Sequence, residues 1–203
     1  MNFKKKHYFF IIALCLLGAL SFNGCERDDI CAEGTATTPR VIVEFYDASE
    51  PDELKSVPRL TVYGEGLLSD ENGDPIDEPT SIADNGILQS DLTVLFNINR
   101  DNIELPLIIG DEGVITTSRF VLEKDTNLRL NDDDTDDSNT DIIELSYTSE
   151  FQYVSRACGY KSIFNNLDVN VEEGDDASFW INNIEVVQTT VNNENTVHVR
   201  IFH

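Results

Sequence analysis

No stretch of residues 40–203 sustains an apolar period of 3.6, and this constrains the fold more than any other feature of the chain. Short apolar runs recur instead, separated by turn-forming residues. Arg40–Tyr46 (RVIVEFY) alternates β-branched and polar residues, as a half-buried strand does. Arg59–Tyr63, Asp91–Ile98, Ile103–Ile108 and Ser118–Lys124 are further predicted strands. Asp141–Thr148 (DIIELSYT) and Phe151–Arg156 (FQYVSR) read as consecutive strands with a tight turn at Ser149-Glu150. Leu167–Val171, Phe179–Val187 and Thr196–Phe202 follow. In the last of these, Val197, Val199 and Ile201 fall on one face and His198, Arg200 and Phe202 on the other. Ser49–Leu54 is predicted to form one helical turn, with Ser49 as its cap. Strand-like runs at this spacing predict an all-β chain, an antiparallel, immunoglobulin-like β-sandwich of about seven to nine strands.

The first 24 residues have a different character. Lys4, Lys5 and Lys6 form a charged start, and Phe9–Leu20 is apolar but shorter than the roughly 20 residues a spanning helix needs. Gly24 then precedes Cys25. This is the pattern of a lipoprotein signal, in which the cleaved leader is residues 1–24 and the thiol of Cys25 takes the lipid. Cys15, inside the apolar run, is the alternative site. The expected organisation is a cleaved signal helix (1–24), a lipidated acidic tether (25–39) and a single β-sandwich domain (40–203). Glu26, Arg27, Asp28 and Asp29 follow the thiol directly. They resemble the surface-export signals of Bacteroidota lipoproteins, where a basic or hydroxyl residue accompanies paired acids; a solvated acidic tether is the other reading.

The chain carries 38 acidic residues against 14 basic ones, a formal net charge of −24. Loss of the leader, with its three lysines, makes it more negative. Such a chain is repelled by nucleic acid and by anionic membrane surfaces, since both bind proteins through Lys and Arg. Acyl chains, rather than charge, are expected to hold it to a membrane. With Cys15 lost and Cys25 acylated, Cys31 and Cys158 remain of the four cysteines. In an oxidising envelope compartment the two are expected to pair, closing a long loop worth roughly 4–5 kcal/mol in chain entropy.

A search for catalytic chemistry returns little. His198 and His203 are an odd number of residues apart, a poor pairing for a metal on one strand face. No nucleophile elbow, phosphate-binding glycine loop or His-Glu-x-x-His helix is present. The chain is therefore expected not to be an enzyme. Calcium is the one cofactor with support, through Asp132, Asp133, Asp134, Asp136 and Asp137, although no register satisfies an EF-hand. Asp70-Glu71-Asn72-Gly73-Asp74 is a second oxygen-rich turn, and both also read as solvated acidic loops. Trp180 reads as a core residue or as a sugar-stacking platform. Tyr46, Tyr63, Tyr147, Tyr153 and Tyr160 read as half-buried strand residues.

Cys25–Cys31 (CERDDIC), Thr37-Thr38-Pro39 and Val41–Asp47 (VIVEFYD) resemble the opening of a flavobacterial lipoprotein family of unknown function. Val154–Tyr160 (VSRACGY), Trp180–Glu185 (WINNIE) and His198–His203 (HVRIFH) resemble its later motifs, while Leu67–Asn99 is longer than its pattern. The resemblance implies a compact lipid-anchored domain with Cys31 and Cys158 as matched positions, and it supplies no activity. Together these readings describe a non-enzymatic outer-membrane lipoprotein that meets an envelope protein partner, with a glycan- or calcium-binding surface module as the alternative.

Overall fold

The structure, a computed structural model, describes residues 30–32, 34–35, 37–69, 74–77, 79, 93–130, 138–174 and 178–203. The chain divides into two compact units, one of residues 1–35 and 154–159 and the other of residues 36–153 and 160–203. Nine strands and one short helix occur among the described residues. They are β1 (Val41–Tyr46), β2 (Val57–Gly64), β3 (Thr93–Arg100), β4 (Asn102–Leu105), β5 (Ile115–Lys124), α1 (Thr126–Arg129), β6 (Asn139–Ser155), β7 (Gly159–Glu173), β8 (Asn183–Val186) and β9 (Val199–Phe202).

The strands form two sheets, in the orders β4-β1-β9-β8 and β3-β2-β5-β6-β7, packed as a β-sandwich. The sandwich predicted from the strand pattern is thus the observed architecture. One pairing departs from the antiparallel expectation: β1 and β9 run parallel, with Val43 opposite Val199 and Phe45 opposite Ile201. Only one residue, Asp101, separates β3 from β4, yet these strands lie in different sheets. The chain changes sheet there, as strands at sandwich corners do.

Period-two burial makes the core. β1 alternates buried and half-buried along its length, burying Val41, Val43 and Phe45. β6 buries Ile143, Leu145 and Tyr147, and these meet Leu60, Val62, Leu122, Phe164 and Ile201. Each large apolar side chain fully withdrawn from water contributes about 1.5–3 kcal/mol.

Three local expectations are corrected. Ser149-Glu150 is not a turn, because β6 continues unbroken through it and Ser149 takes the next inward position after Tyr147. The reversal comes after Ser155, where Gly159 adopts the left-handed φ of 70° that a side chain would resist. Ser49–Leu54 is not helical. Asp47 Oδ1 there accepts hydrogen bonds from Ser49 N–H (2.8 Å) and Ser49 Oγ–H (2.7 Å), so Asp47 rather than Ser49 organises the turn. These bonds, helped by Lys55, hold the Asp47 carboxyl down at about 2. The third is at His198, which is buried although its neighbours alternate, because β9 begins only at Val199.

Candidate functional site

Cys31 and Cys158 form a disulfide across 4.9 Å between Cα atoms, 127 residues apart in sequence. Cys158 sits in the turn that joins β6 to β7, where its N–H donates to Ser155 Oγ at 3.0 Å. The pairing inferred from cysteine count and compartment is the one the structure contains. Cys25, Glu26, Arg27, Asp28 and Asp29 lie outside the described residues, as do Asp132, Asp133, Asp134, Asp136 and Asp137. Of the second oxygen-rich turn only Asp74 is described. Among the described residues no group of three His, Cys, Asp or Glu side chains is placed to hold a metal ion.

His198 and His203 are structural. His198 Nδ1 accepts the Ile42 N–H at 2.9 Å, while His198 N–H donates to the Ile42 carbonyl at 2.9 Å. The imidazole therefore acts as a substitute carbonyl that extends the β1–β9 ladder beyond its last residue pair. An accepting Nδ1 requires the neutral ring with its proton on Nε2. Burial lowers the pKa of His198, against a smaller opposite pull from Glu194. His203 packs edge-on against Phe45 and Trp180, and its pKa is likewise lowered by burial.

Trp180 is buried, and its indole N–H donates to the Leu122 carbonyl at 3.1 Å. It is a core residue with no face free to stack on a sugar. Beside it lies a group that was missed in sequence. Asp141 is fully buried, and its Oδ2 accepts the backbone N–H groups of Trp180 (3.0 Å) and Ile181 (2.7 Å). A carboxylate on β6 thus fastens the approach to β8, tying the two sheets together. The available signal was Asp141 at the inward position two residues before Ile143, Leu145 and Tyr147.

The outer face of the larger sheet carries a charge cluster that no local pattern of residues foretells. The Arg119 guanidinium on β5 contacts three carboxylates: Glu65 just after β2, Glu144 on β6 at 2.7 Å, and Glu172 on β7 at 2.8 Å. Hydrogen bonds donated to Glu172, Glu65 and Glu144 raise the Arg119 pKa, and Arg119 in turn lowers that of Glu172. A general acid needs the opposite shift. The group ties neighbouring strands, and a cavity of about 210 Å³ beside it is lined mainly by apolar atoms of Leu67, Pro106, Ile108 and Phe120. Glu123, almost fully buried, holds Arg129 of α1 through two bonds of 2.6 and 2.9 Å.

One end of the sandwich exposes apolar side chains on a well-fastened frame. β5 pairs with β6 from Lys124–Asn139 to Ile115–Thr148, and β6 continues past this last pair. The loop between β4 and β5 is pinned here. Ile108 N–H donates to Ser118 Oγ (3.0 Å), Tyr147 Oη–H to the Ile108 carbonyl (2.8 Å), and Gly110 N–H to Ser149 Oγ (3.2 Å). On this frame Ile115 is 75% exposed, Tyr153 59% and Tyr160 68%; Ile109, Val114 and Phe151 are exposed as well. The rings of Tyr153 and Tyr160 meet edge-to-face at 5.4 Å. The expectation that these two tyrosines are half-buried is corrected, because β6 and β7 run on beyond the sheet that would cover them.

Residues 83–203 match the model of a family described as a family of unknown function (DUF6452). The chain belongs to this family. No curated protein and no solved structure matches it. The DUF6452 match begins ahead of β3, so β1 and β2 precede it, although β1 is the strand that joins β4 to β9. Three sequence motifs fall within the matched residues, and each has a structural task. Val154–Tyr160 carries the disulfide turn, Trp180–Glu185 supplies the N–H groups that Asp141 binds, and His198–His203 supplies the ladder imidazole and β9.

Proposed function

We propose that this DUF6452 protein is a non-enzymatic lipoprotein of a bacterial outer membrane. It is anchored by acyl chains on Cys25 and presents an acidic β-sandwich to a protein partner in the envelope. The observation that carries this reading is the Cys31–Cys158 disulfide. Bonds of this kind persist in oxidising compartments and are rare where thiols are kept reduced. A protein that holds one while beginning with a lysine-rich, apolar leader ending at Gly24-Cys25 has the chemistry of an exported, lipidated chain. The resemblance of Cys25–Cys31 and Val41–Asp47 to flavobacterial lipoproteins supports the same reading. So does the acidity of the chain, which suits a protein held by lipid and repelled by nucleic acid.

The polar groups described above are engaged in holding strands together, which favours a scaffold for interaction over a catalytic site. Metabolic labelling with a fatty-acid analogue tests the anchor. The wild-type chain takes up label and fractionates with membranes, and Cys25→Ala does neither; label retained by Cys25→Ala would refute the assignment. Neutralising Glu26, Asp28 and Asp29 tests surface export. The protein is then expected to lose access to an external protease, and unchanged cleavage would argue for a tether without an export role.

A further inference from the structure

We infer that the end of the sandwich bearing Tyr153, Tyr160 and Ile115 is seated on the lipid surface that the anchor enters. The inference rests on the proposal that Cys25 is acylated and adds which face of the domain meets the bilayer.

The exposed apolar groups are unevenly placed. Six of the fourteen large apolar side chains exposed among the described residues are Ile109, Val114, Ile115, Phe151, Tyr153 and Tyr160. Ile109 and Val114 lie on the loop pinned to Ser118 and Ser149, Ile115 opens β5 opposite Thr148, and Phe151, Tyr153 and Tyr160 lie on β6 and β7 near the turn that joins them. Solvent-facing apolar residues scattered singly need no explanation, but a cluster of them on a hydrogen-bonded frame marks a surface that is covered in use. Two of the six are tyrosines, which combine an apolar ring with a polar hydroxyl and favour the boundary between headgroups and acyl chains.

The covalent path of the chain selects the occupant. Cys31 lies six positions after Cys25, no more than about 21 Å of extended chain. The disulfide then adds 4.9 Å, and Tyr160 follows Cys158 by two residues. The second tyrosine is therefore confined to within a few tens of ångströms of the acylated residue. The main-chain path leads to the same place, because Thr38 Oγ1 accepts the Ser162 N–H at 2.9 Å, two residues beyond Tyr160. The opposite end of β6, at Asn139, is 14 residues from Tyr153, roughly 46 Å along the strand. The chain thus delivers the apolar end, and not the far end, to the bilayer. Asp111, Glu112 and Glu150 also lie at this end and disfavour anionic lipid, so a zwitterionic headgroup layer is the matching surface.

Depth-dependent quenching tests this on the mature, acylated protein reconstituted in phosphatidylcholine vesicles with brominated acyl chains. The native Trp180 is buried, so emission above the parent's reports an introduced probe. Tyr160→Trp and Ile115→Trp replace exposed side chains, at two sites, so that one folding failure does not end the test. Both are expected to shift to shorter wavelength and to lose emission to the bromines. Leu130→Trp, which follows α1 at the far end, is expected to remain unquenched. Acylated protein in which neither the 160 nor the 115 probe is quenched would overturn the inference and leave the anchor standing. So would a blue shift that depends on protein concentration and not on bromolipid, since the occupant is then a second copy. Protein recovered without acyl chains refutes the anchor instead, and intact mass distinguishes that case before any fluorescence is read.

Discussion

Replacing Asp141 should expose how much one buried carboxylate holds the two sheets together. Its Oδ2 receives two main-chain N–H groups, from Trp180 and Ile181, in a fully buried setting. Asp141→Ala leaves both donors without that acceptor, and a buried donor so stranded costs about 1–3 kcal/mol. The two together give a loss of about 2–6 kcal/mol, a large fraction of the 5–15 kcal/mol that stabilises an ordinary domain. With a urea m-value of about 2 kcal/mol/M, the midpoint should fall by at least about 1 M. Asp141→Asn keeps one carbonyl acceptor of the same size but loses the charge and turns the second oxygen into an amide NH2, so its midpoint should lie between the other two. The assay reports on the site directly, because Trp180 is the single tryptophan of the chain and its backbone N–H is one of the two donors. Urea titration followed by Trp180 emission suffices. An Asp141→Ala midpoint within experimental error of wild type would refute the reasoning, and so would an Asn variant less stable than the Ala variant.

Three further outcomes follow from the same geometry. Tyr147→Phe removes a hydroxyl that donates to the Ile108 carbonyl and shares a 2.5 Å bond with Ser118 Oγ, so stability should drop by about 1–3 kcal/mol. Amide exchange should quicken in the β4–β5 loop, and a loop as protected as in wild type would contradict the pinning. His198 is neutral in the fold with a lowered pKa, so as pH falls the unfolded chain takes up the proton first. Its contribution is whole above the ordinary value of 6.5 and is lost as pH falls below it through the folded pKa. Unfolding titrations at pH 7.5 and 5.5 should show the loss, smaller in His198→Gln, and equal pH slopes in the two proteins would count against the ladder role. Cys31→Ser with Cys158→Ser releases a 127-residue separation in the unfolded chain and should cost about 2–4 kcal/mol, the usual yield of a disulfide and less than its full loop-closure entropy, measured against non-reduced wild type.

The sequence disclosed the architecture where physical cause was local. Alternation along Val41–Tyr46 made β1 legible, and Asn139–Ser155 shows the same alternation over a longer reach. The false turn at Ser149-Glu150 came from reading polar residues as punctuation. Ser149 is polar yet inward-facing, because its hydroxyl accepts Gly110 N–H and its carbonyl accepts Gly113 N–H. The disulfide was legible because compartment and count left two thiols, which required no knowledge of the fold. Long-range relations were not legible. The parallel match of β1 with β9 depends on residues some 156 apart, seen in the Ile42–His198 bond, and no local pattern encodes it. The Arg119 cluster likewise draws Glu65, Glu144 and Glu172 from three separate segments, and among 38 acids nothing marked those three. The exposure of Tyr153 and Tyr160 was hidden for a related reason. It depends on where β5 stops, and their own residue types do not record that.

One mass measurement tests most directly the claim that this is an acylated, exported chain. Protein purified from the envelope of a lipoprotein-processing host should begin at Cys25, carry acyl chains on that residue, and show Cys31 and Cys158 joined without prior oxidation. A chain that keeps residues 1–24, carries no lipid and holds both thiols reduced would contradict it.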